Sequence, residues 1–541
     1  MGKVAVFGID GAELSLIEKW QDELPNFKKL LDGGVYGKLE TTLPPLTSPA
    51  WPCMFTGRNP AKLGLYGFIK NLAREEGRFE LNTSNDYNEI AIWSILNRHG
   101  EKVGLLNVPL TFPPHSIDSF MVCGIGAPVT AKSQYTYPPE LKNILDEVVG
   151  GYEITPIILL DIPGNIPKQV AAFEKVLEKR EKAAAHLMSH FPWDLFICVF
   201  YVIDSVQHRF WHYMDKNHIK RGDERYANLI KRFYIKVDAA IGRLISKMPD
   251  DVNIFVVSDH GFGPCHGRFA VNRWLEHKNL LRFKSTQYQD RLNLTILKIR
   301  NFLLSRLNPN TTARIAKFLP QWICTRLTVR EATRRRMEET YRNIDWTHTK
   351  AYGMGEFGMI YINLKGREPY GIVEPGTEYE NLRNEIIREL KQTVNPNTGE
   401  KLEIRIFKKE DIYKGQYFNA APDVAFYIDH YPQAVSVTTK NIWHKSELTG
   451  HHSREGIFFA YGPDINKSRG KLNNLKIFDI TPTILHIFGL PIPKDIDGRV
   501  LTEIFDEKSK PAKRKVVYQE FGETDKIRNR IKRLKLLKKS K

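Results

Sequence analysis

The chain has 541 residues, 42 % of them hydrophobic and 26 % charged, the composition of a soluble globular protein long enough for one large elaborated domain or two. Lysine and arginine (80) outnumber aspartate and glutamate (62), and the net charge of +18 favours anionic partners such as nucleotides, phosphosugars, nucleic acid or anionic lipid. No run approaches the roughly 18 apolar residues of a membrane span, no signal peptide is visible, and five scattered cysteines form no disulfide framework, so a cytoplasmic protein is expected.

Taken in chain order, the apolar run 4–9 predicts a strand, followed at once by Asp10 and a turn-forming Gly11. A helical pattern covers 14–32. The segment Pro44-Pro45-Leu46-Thr47-Ser48-Pro49-Ala50-Trp51 then puts two hydroxyls ahead of a short apolar helix. A helix N-terminus carries a positive field, and its free N–H groups can hold phosphate oxygens. Pro49 suits a first turn, which makes Ser48 the expected N-cap and leaves Thr47 free to face a site. A helix at 88–99 and a strand at 102–108 come next. Residues 112–165, rich in proline and glycine, read as an excursion from the core.

After a helix at 167–190, the apolar run 195–203 predicts a buried strand ending in Asp204, with His208 four residues on. If a helix begins there, the two side chains share a face. A helix at 224–247 leads to a strand at 253–258, and Asp259, His260 and Gly261 follow it. An Asp-His pair has little structural use at a strand end, and burying both without a partner is costly, so a metal is the better reading. Residues 280–345 are strongly basic, with Arg330, Arg334, Arg335 and Arg336 close together, and predict a small helical cap. Sheet pieces at 350–364 and 402–428 flank a helix at 379–392. Gly450, His451 and His452 precede an apolar strand at 456–461, and Asp479 with Pro482 marks the start of a helix at 479–488. The catalytic domain is expected to span 1–505. The basic remainder, 506–541, carries Ile527, Ile531, Leu534 and Leu537 at helical spacing, a surface for peripheral membrane or nucleic-acid contact.

Strands alternating with helices predict an α/β fold, a mostly parallel central sheet with helices on both faces. Ligands of such sheets bind beyond the carboxyl ends of the strands, where Asp10, Asp204 and Asp259 are expected to converge. Mixed aspartate and histidine ligation suits Zn²⁺ or Mn²⁺ better than Ca²⁺ or Mg²⁺. A hydroxyl beside such an ion becomes a nucleophile.

As an ordered set, Phe7-Gly8-Ile9-Asp10-Gly11, Thr47-Ser48-Pro49-Ala50-Trp51 with Thr56-Gly57, Asp204 to His208, Ser258 to Gly261, His452 before Gly456, Asp479 to Thr483 and Asp497-Gly498 resembles the alkaline phosphatase superfamily. Within it, the chain is similar to the type I phosphodiesterase/nucleotide pyrophosphatase family. That resemblance implies an alkaline-phosphatase-like core holding two divalent ions. Asp204, His208 and His452 would hold one; Asp10, Asp259 and His260 would hold the other, with Thr47 as bridging nucleophile. His452 is preferred to His451 because the family's histidine precedes the strand glycine, here Gly456, by four residues. The implied reaction is in-line displacement on a small anionic phosphoester through a phosphothreonine. Ala50 departs from the asparagine of many nucleotide pyrophosphatases, which weakens a nucleotide-specific assignment. The alternatives are a phosphomonoesterase or phosphomutase of the same superfamily, drawing a cation from the cap such as Arg334, and a non-catalytic protein that binds anionic ligands.

Overall fold

The computed structural model describes residues 2–70, 79–127, 133–154, 165–284, 329–355, 357–395, 398–434 and 441–520. The strands used below are β1 (Lys3–Ile9), β2 (Val35–Glu40), β3 (Val103–Val108), β4 (Ser119–Cys123), β5 (Thr136–Tyr137), β6 (Leu195–Phe200), β7 (Val252–Val257) and β8 (Gly261–Pro264). They continue with β9 (Ala351–Gly353), β10 (Gly358–Ile362), β11 (Ile404–Lys408), β12 (Val424–Ile428), β13 (Gly450–Ser453), β14 (Glu455–Tyr461) and β15 (Gly470–Lys476). The helices are α1 (Leu14–Trp20), α2 (Pro25–Gly33), α3 (Thr47–Thr56), α4 (Ile92–Arg98), α5 (Ile166–His190), α6 (Val202–Met214), α7 (Leu229–Ile245), α8 (Val329–Asn343), α9 (Thr377–Leu390) and α10 (Ile480–Ile487).

Nine strands form the main sheet in the order β15-β2-β14-β7-β1-β6-β3-β4-β5. Its middle, β7-β1-β6-β3-β4, is parallel throughout, while β14 enters antiparallel between β7 and β2. β3, β6 and β7 are buried at every position, as expected of parallel strands covered on both faces. One helical layer packs α2, α5, α6 and α7 together, and another packs α3, α4 and α10. A second core fills a cap built from the antiparallel sheet β9-β10-β12-β11 with α8 and α9.

Several boundaries differ from the expectations. The 14–32 helix is two helices, split by the turn Gln21–Glu23, and Pro25 opens the second because its ring fits a first turn but not a helix interior. The 112–165 segment is no mere excursion, since β4 and β5 belong to the main sheet. The strand expected at 195–203 stops at Phe200, and Val202 already starts α6. Asp479 does not cap α10 with its side chain; its carboxylate accepts instead from the backbone N–H groups of Lys476 and Arg499. The terminal segment stays on the core beyond 506. Tyr518–Gln519 pairs with Ile492–Pro493, and Arg514 donates to the His486 carbonyl in the last turn of α10. The amphipathic stretch 526–541 and most of the basic insertion, 285–328, lie outside the described residues. Cys53, Cys123, Cys198 and Cys265 are free and buried. Among the described residues, no helix is long and apolar enough to cross a membrane.

Candidate active site

β7, β1 and β6 are neighbours in the sheet, so their carboxyl ends place Asp259, Asp10 and the start of α6 side by side. Asp10 and Asp259 follow their strands directly, and both are fully buried. Asp204 arrives differently, from the first turn of α6, which also presents His208 one turn on. Gly11 makes the turn after β1 at φ +70°, a left-handed conformation that glycine adopts freely. A side chain there would meet the Phe262 ring at 3.0 Å and the Asp204 backbone at 3.3 Å. The Gly11 N–H donates to Asp259 (3.3 Å), and Gln207 donates to the Gly11 carbonyl (2.6 Å). The turn thereby ties two strand ends to α6.

His260 follows Asp259. His452 comes from β13, whose two-stranded ribbon with β8 pairs it opposite Phe262. All three ring Nδ1 atoms face backbone carbonyls: His208 with Gly450 (2.9 Å), His452 with Pro45 (2.9 Å) and His260 with Gly261 (3.1 Å). A carbonyl can only accept, so each Nδ1 carries the proton and each Nε2 presents a lone pair to the site. The Nε2 atoms of His208 and His452 stand 3.0 Å apart. Two lone pairs at that distance repel unless a cation lies between or beside them.

The carboxylates tell the same story. Asp204 Oδ1 is 3.2 Å from both His208 Nε2 and His452 Nε2. His260 Nε2 is 3.3 Å from Asp259 Oδ2 and 3.6 Å from Asp10 Oδ1. Yet Asp10 Oδ1, Asp204 Oδ1 and Asp259 Oδ2, all buried, accept no hydrogen bond. Asp204, His208 and His452 have ligand atoms within 4.8 Å of one another, and so do Asp10, Asp204 and His260. Asp204 thus belongs to both groups, and Asp259 borders the second through His260. Buried acceptors aimed at one another without donors fit divalent cations, and the mixed oxygen and nitrogen donor set suits ions of borderline softness.

Burial raises the Asp10 carboxyl well above its usual range, and the charges of Asp259 and Asp204 push the same way. Burial likewise carries Asp259 up to about 7, with His452 opposing and Asp204 assisting. Burial and the neighbouring His452 keep His260 well below its ordinary value, hence neutral.

Thr47 is the first residue of α3, 3 % exposed, with Oγ1 3.4 Å from His260 Nε2. Ser48 is not the N-cap that was expected. Leu46 holds that position without a side-chain bond, and the Ser48 hydroxyl donates to the Gly67 carbonyl at 2.6 Å. Sequence reasoning gave no role to Trp51, whose indole donates to Asp10 Oδ2 at 3.0 Å. The signal was present: four residues after Thr47 on a helix is the same face. Arg334, the cation sought in the cap, pairs with Glu338 on its own helix.

The model of the family described as type I phosphodiesterase/nucleotide pyrophosphatase matches residues 4–454. No curated protein matches the chain in sequence. Among solved structures, murine ectonucleotide pyrophosphatase/phosphodiesterase 5 is 13 % identical with a TM-score of 0.48, covering 93 % of this chain and 100 % of its own. An inactive variant of that murine protein in complex with AMP gives 13 %, 0.49, 94 % and 100 %. The human counterpart gives 13 %, 0.48, 93 % and 100 %. On the match across residues 4–454, the chain belongs to the type I phosphodiesterase/nucleotide pyrophosphatase family, and it is a phosphoric ester hydrolase.

Proposed function

We propose that the protein is a phosphodiesterase that uses Thr47 as its nucleophile beside two divalent metal ions. The observation that carries this reading is the pair of facing lone pairs on His208 and His452, both Nδ1 protons being committed to carbonyls, with the donorless Asp204 oxygen between them. Asp204, His208 and His452 would hold one ion, and Asp10, Asp259 and His260 the other. Such ions neutralise a phosphoester, acidify a nearby hydroxyl and stabilise a leaving oxygen.

The chain's own groups supply the rest. The Thr47 hydroxyl loses its proton to solvent, its oxygen forms a bond to phosphorus as the ester bond opposite breaks, and the departing alkoxide takes a proton back from solvent. Water then attacks the phosphothreonine and restores the hydroxyl. Trp51 orients Asp10 through its indole N–H. The Ser48 N–H, in the first turn of α3, lies at the positive end of the helix, where a non-bridging phosphate oxygen is favoured. Asp10, Thr47, Asp204, Asp259, His260 and His452 are buried and His208 is half-buried, so the site opens on the His208 side and its electrostatic contacts are strengthened deeper in.

The test is a side-by-side assay of diesters and monoesters with purified wild-type and Thr47→Ala protein loaded with Zn²⁺ or Mn²⁺. Turnover of bis-p-nitrophenyl phosphate that exceeds that of p-nitrophenyl phosphate and vanishes in the variant supports the reading. A strong monoester preference, or full activity of the variant, overturns it.

A further inference from the structure

His452 is held from two sides. Its Nδ1 is tied to the Pro45 carbonyl, just ahead of Thr47, and its own carbonyl receives a bond from the cap: Tyr427, in β12, donates its hydroxyl at 3.1 Å. Tyr427 is 5 % exposed and clusters with Leu46 and Phe357. The Phe357 ring stands edge-on to His451, with centroids 5.0 Å apart, and 6.1 Å from His452. Phe357 takes φ +68°, a left-handed conformation that a non-glycine residue keeps only where its surroundings over-determine it.

We propose that Tyr427, backed by Phe357, is a positioning residue: through the His452 carbonyl it sets where the imidazole stands relative to Asp204 and His208, so that the cap sheet tunes the ion affinity of the core. The β8 ribbon holds one edge of the His452 backbone; without the Tyr427 bond the other edge, and the ring with it, shifts about the Nδ1 tie, and the 3.0 Å Nε2 separation from His208 is lost. Fixed at both ends, the two nitrogens keep the spacing an ion requires. Outer hydrogen bonds of this kind alter metal affinity by about 10–100-fold. The proposal rests on the reading of Asp204, His208 and His452 as an ion-holding group.

Tyr413 provides the comparison. Its buried hydroxyl also crosses from cap to core, donating to the Leu43 carbonyl at 2.7 Å, but Leu43 supplies nothing to the ions. Full-length wild type, Tyr427→Phe and Tyr413→Phe are stripped of metal and titrated with Zn²⁺ against a chromophoric chelator. Each is then loaded with Co²⁺ for its visible spectrum. Tyr427→Phe should bind one of two ions about 10-fold more weakly and shift the Co²⁺ bands, while Tyr413→Phe keeps both affinities and the spectrum. Thermal midpoints should fall slightly and alike in the two variants. Phe357→Leu, a second route to the same histidine, should weaken the same ion should Tyr427→Phe fail to fold. Equal Zn²⁺ affinity in Tyr427→Phe and Tyr413→Phe, or an unaffected Phe357→Leu where that variant is needed, overturns the positioning role. Wild type that binds no Zn²⁺, or binding that His452→Ala leaves intact, overturns the ion-holding reading itself, and the proposal with it.

Discussion

Thr47 and Ser48 carry the same functional group one residue apart, and α3 sends them to different neighbours. Thr47 faces His260, while Ser48 bonds the Gly67 carbonyl. Thr47→Ala should therefore lower kcat by on the order of 10³-fold or more without unfolding the chain, since removal of a nucleophile typically costs several orders of magnitude. Ser48→Ala should cost about 1 kcal/mol of stability, the worth of one buried hydrogen bond, and keep turnover. A radiolabelled phosphoryl group trapped on Ser48 would reverse the assignment. His451 and His452 separate in the same way: His452 Nε2 meets Asp204, whereas His451 packs under Phe357. Alanine at 452 should release one ion, and alanine at 451 should not, as counted by metal analysis after gel filtration. The site also sets a pH dependence. The sequence suggested that charging of histidine would govern it, but burial and His452 hold His260 neutral, while burial takes the Asp259 carboxyl to about 7. An ion requires the carboxylate, so its binding lowers that pKa. Affinity is then full above about pH 7 and falls as pH drops through that value, by about tenfold per unit at most for this single proton. Zn²⁺ affinity that stays level between pH 8 and pH 6 would refute this.

Elements differ in how openly the sequence announces them. β1 and β7 are buried on both faces, so each reads as an unbroken apolar run whose end marks where Asp10 or Asp259 stands. The end of β6 is hidden because Val202 and Ile203, already helical, are as apolar and buried as the strand before them. Asp204 and His208 both lie on α6, and their four-residue spacing does not depend on where the helix begins. β4 was missed because the prolines and glycines around it advertise loop, yet its own five residues are enough to extend a sheet. The cap's contribution could not be read at all. Tyr427 acts on a backbone carbonyl, which leaves no partner side chain for a pattern to reveal. The cap has its own anchor: buried Asp423 accepts from Arg367 (2.6 and 2.7 Å), Tyr379 (2.7 Å), Lys409 (3.1 Å) and the Ile362 N–H (2.7 Å). Asp423→Ala should cost about 3–5 kcal/mol, because it leaves buried Lys409 without its counter-charge and Arg367 with Glu368 alone. Despite burial, Arg367 holds this carboxyl at about 2, against an ordinary 3.8. Its contribution is complete above the ordinary value and disappears as pH falls through about 2. Denaturant melts at neutral pH measure the loss, and a shift below 1 kcal/mol would show that the anchor is not one.

At the scale of the molecule, the family and the architecture could be read from motif order, because each motif sits at an element boundary that the sheet brings to one edge. The ligand set runs from Asp10 to His452, and β14 then enters between β7 and β2, so the sheet is interrupted until the last third of the chain arrives. That topology has a consequence in time. Contacts between such distant segments form late, after long loops have closed. The group of Asp204, His208 and His452 is incomplete until His452 has been made, so its ion can be captured only once the fold is nearly complete. An ion captured that late stabilises the native state and not the barrier leading to it. Saturating Zn²⁺ should therefore leave the refolding rate of the stripped protein unchanged and slow its unfolding. At a thousand times the dissociation constant, each independent ion contributes about 4 kcal/mol, on the order of 10³-fold in unfolding rate. Stopped-flow refolding and unfolding with and without Zn²⁺ measure both limbs, and faster refolding with the ion would show that the site assembles early. With refolding unchanged, the ion at His452 acts as a clock, recording that the chain has been finished and closed.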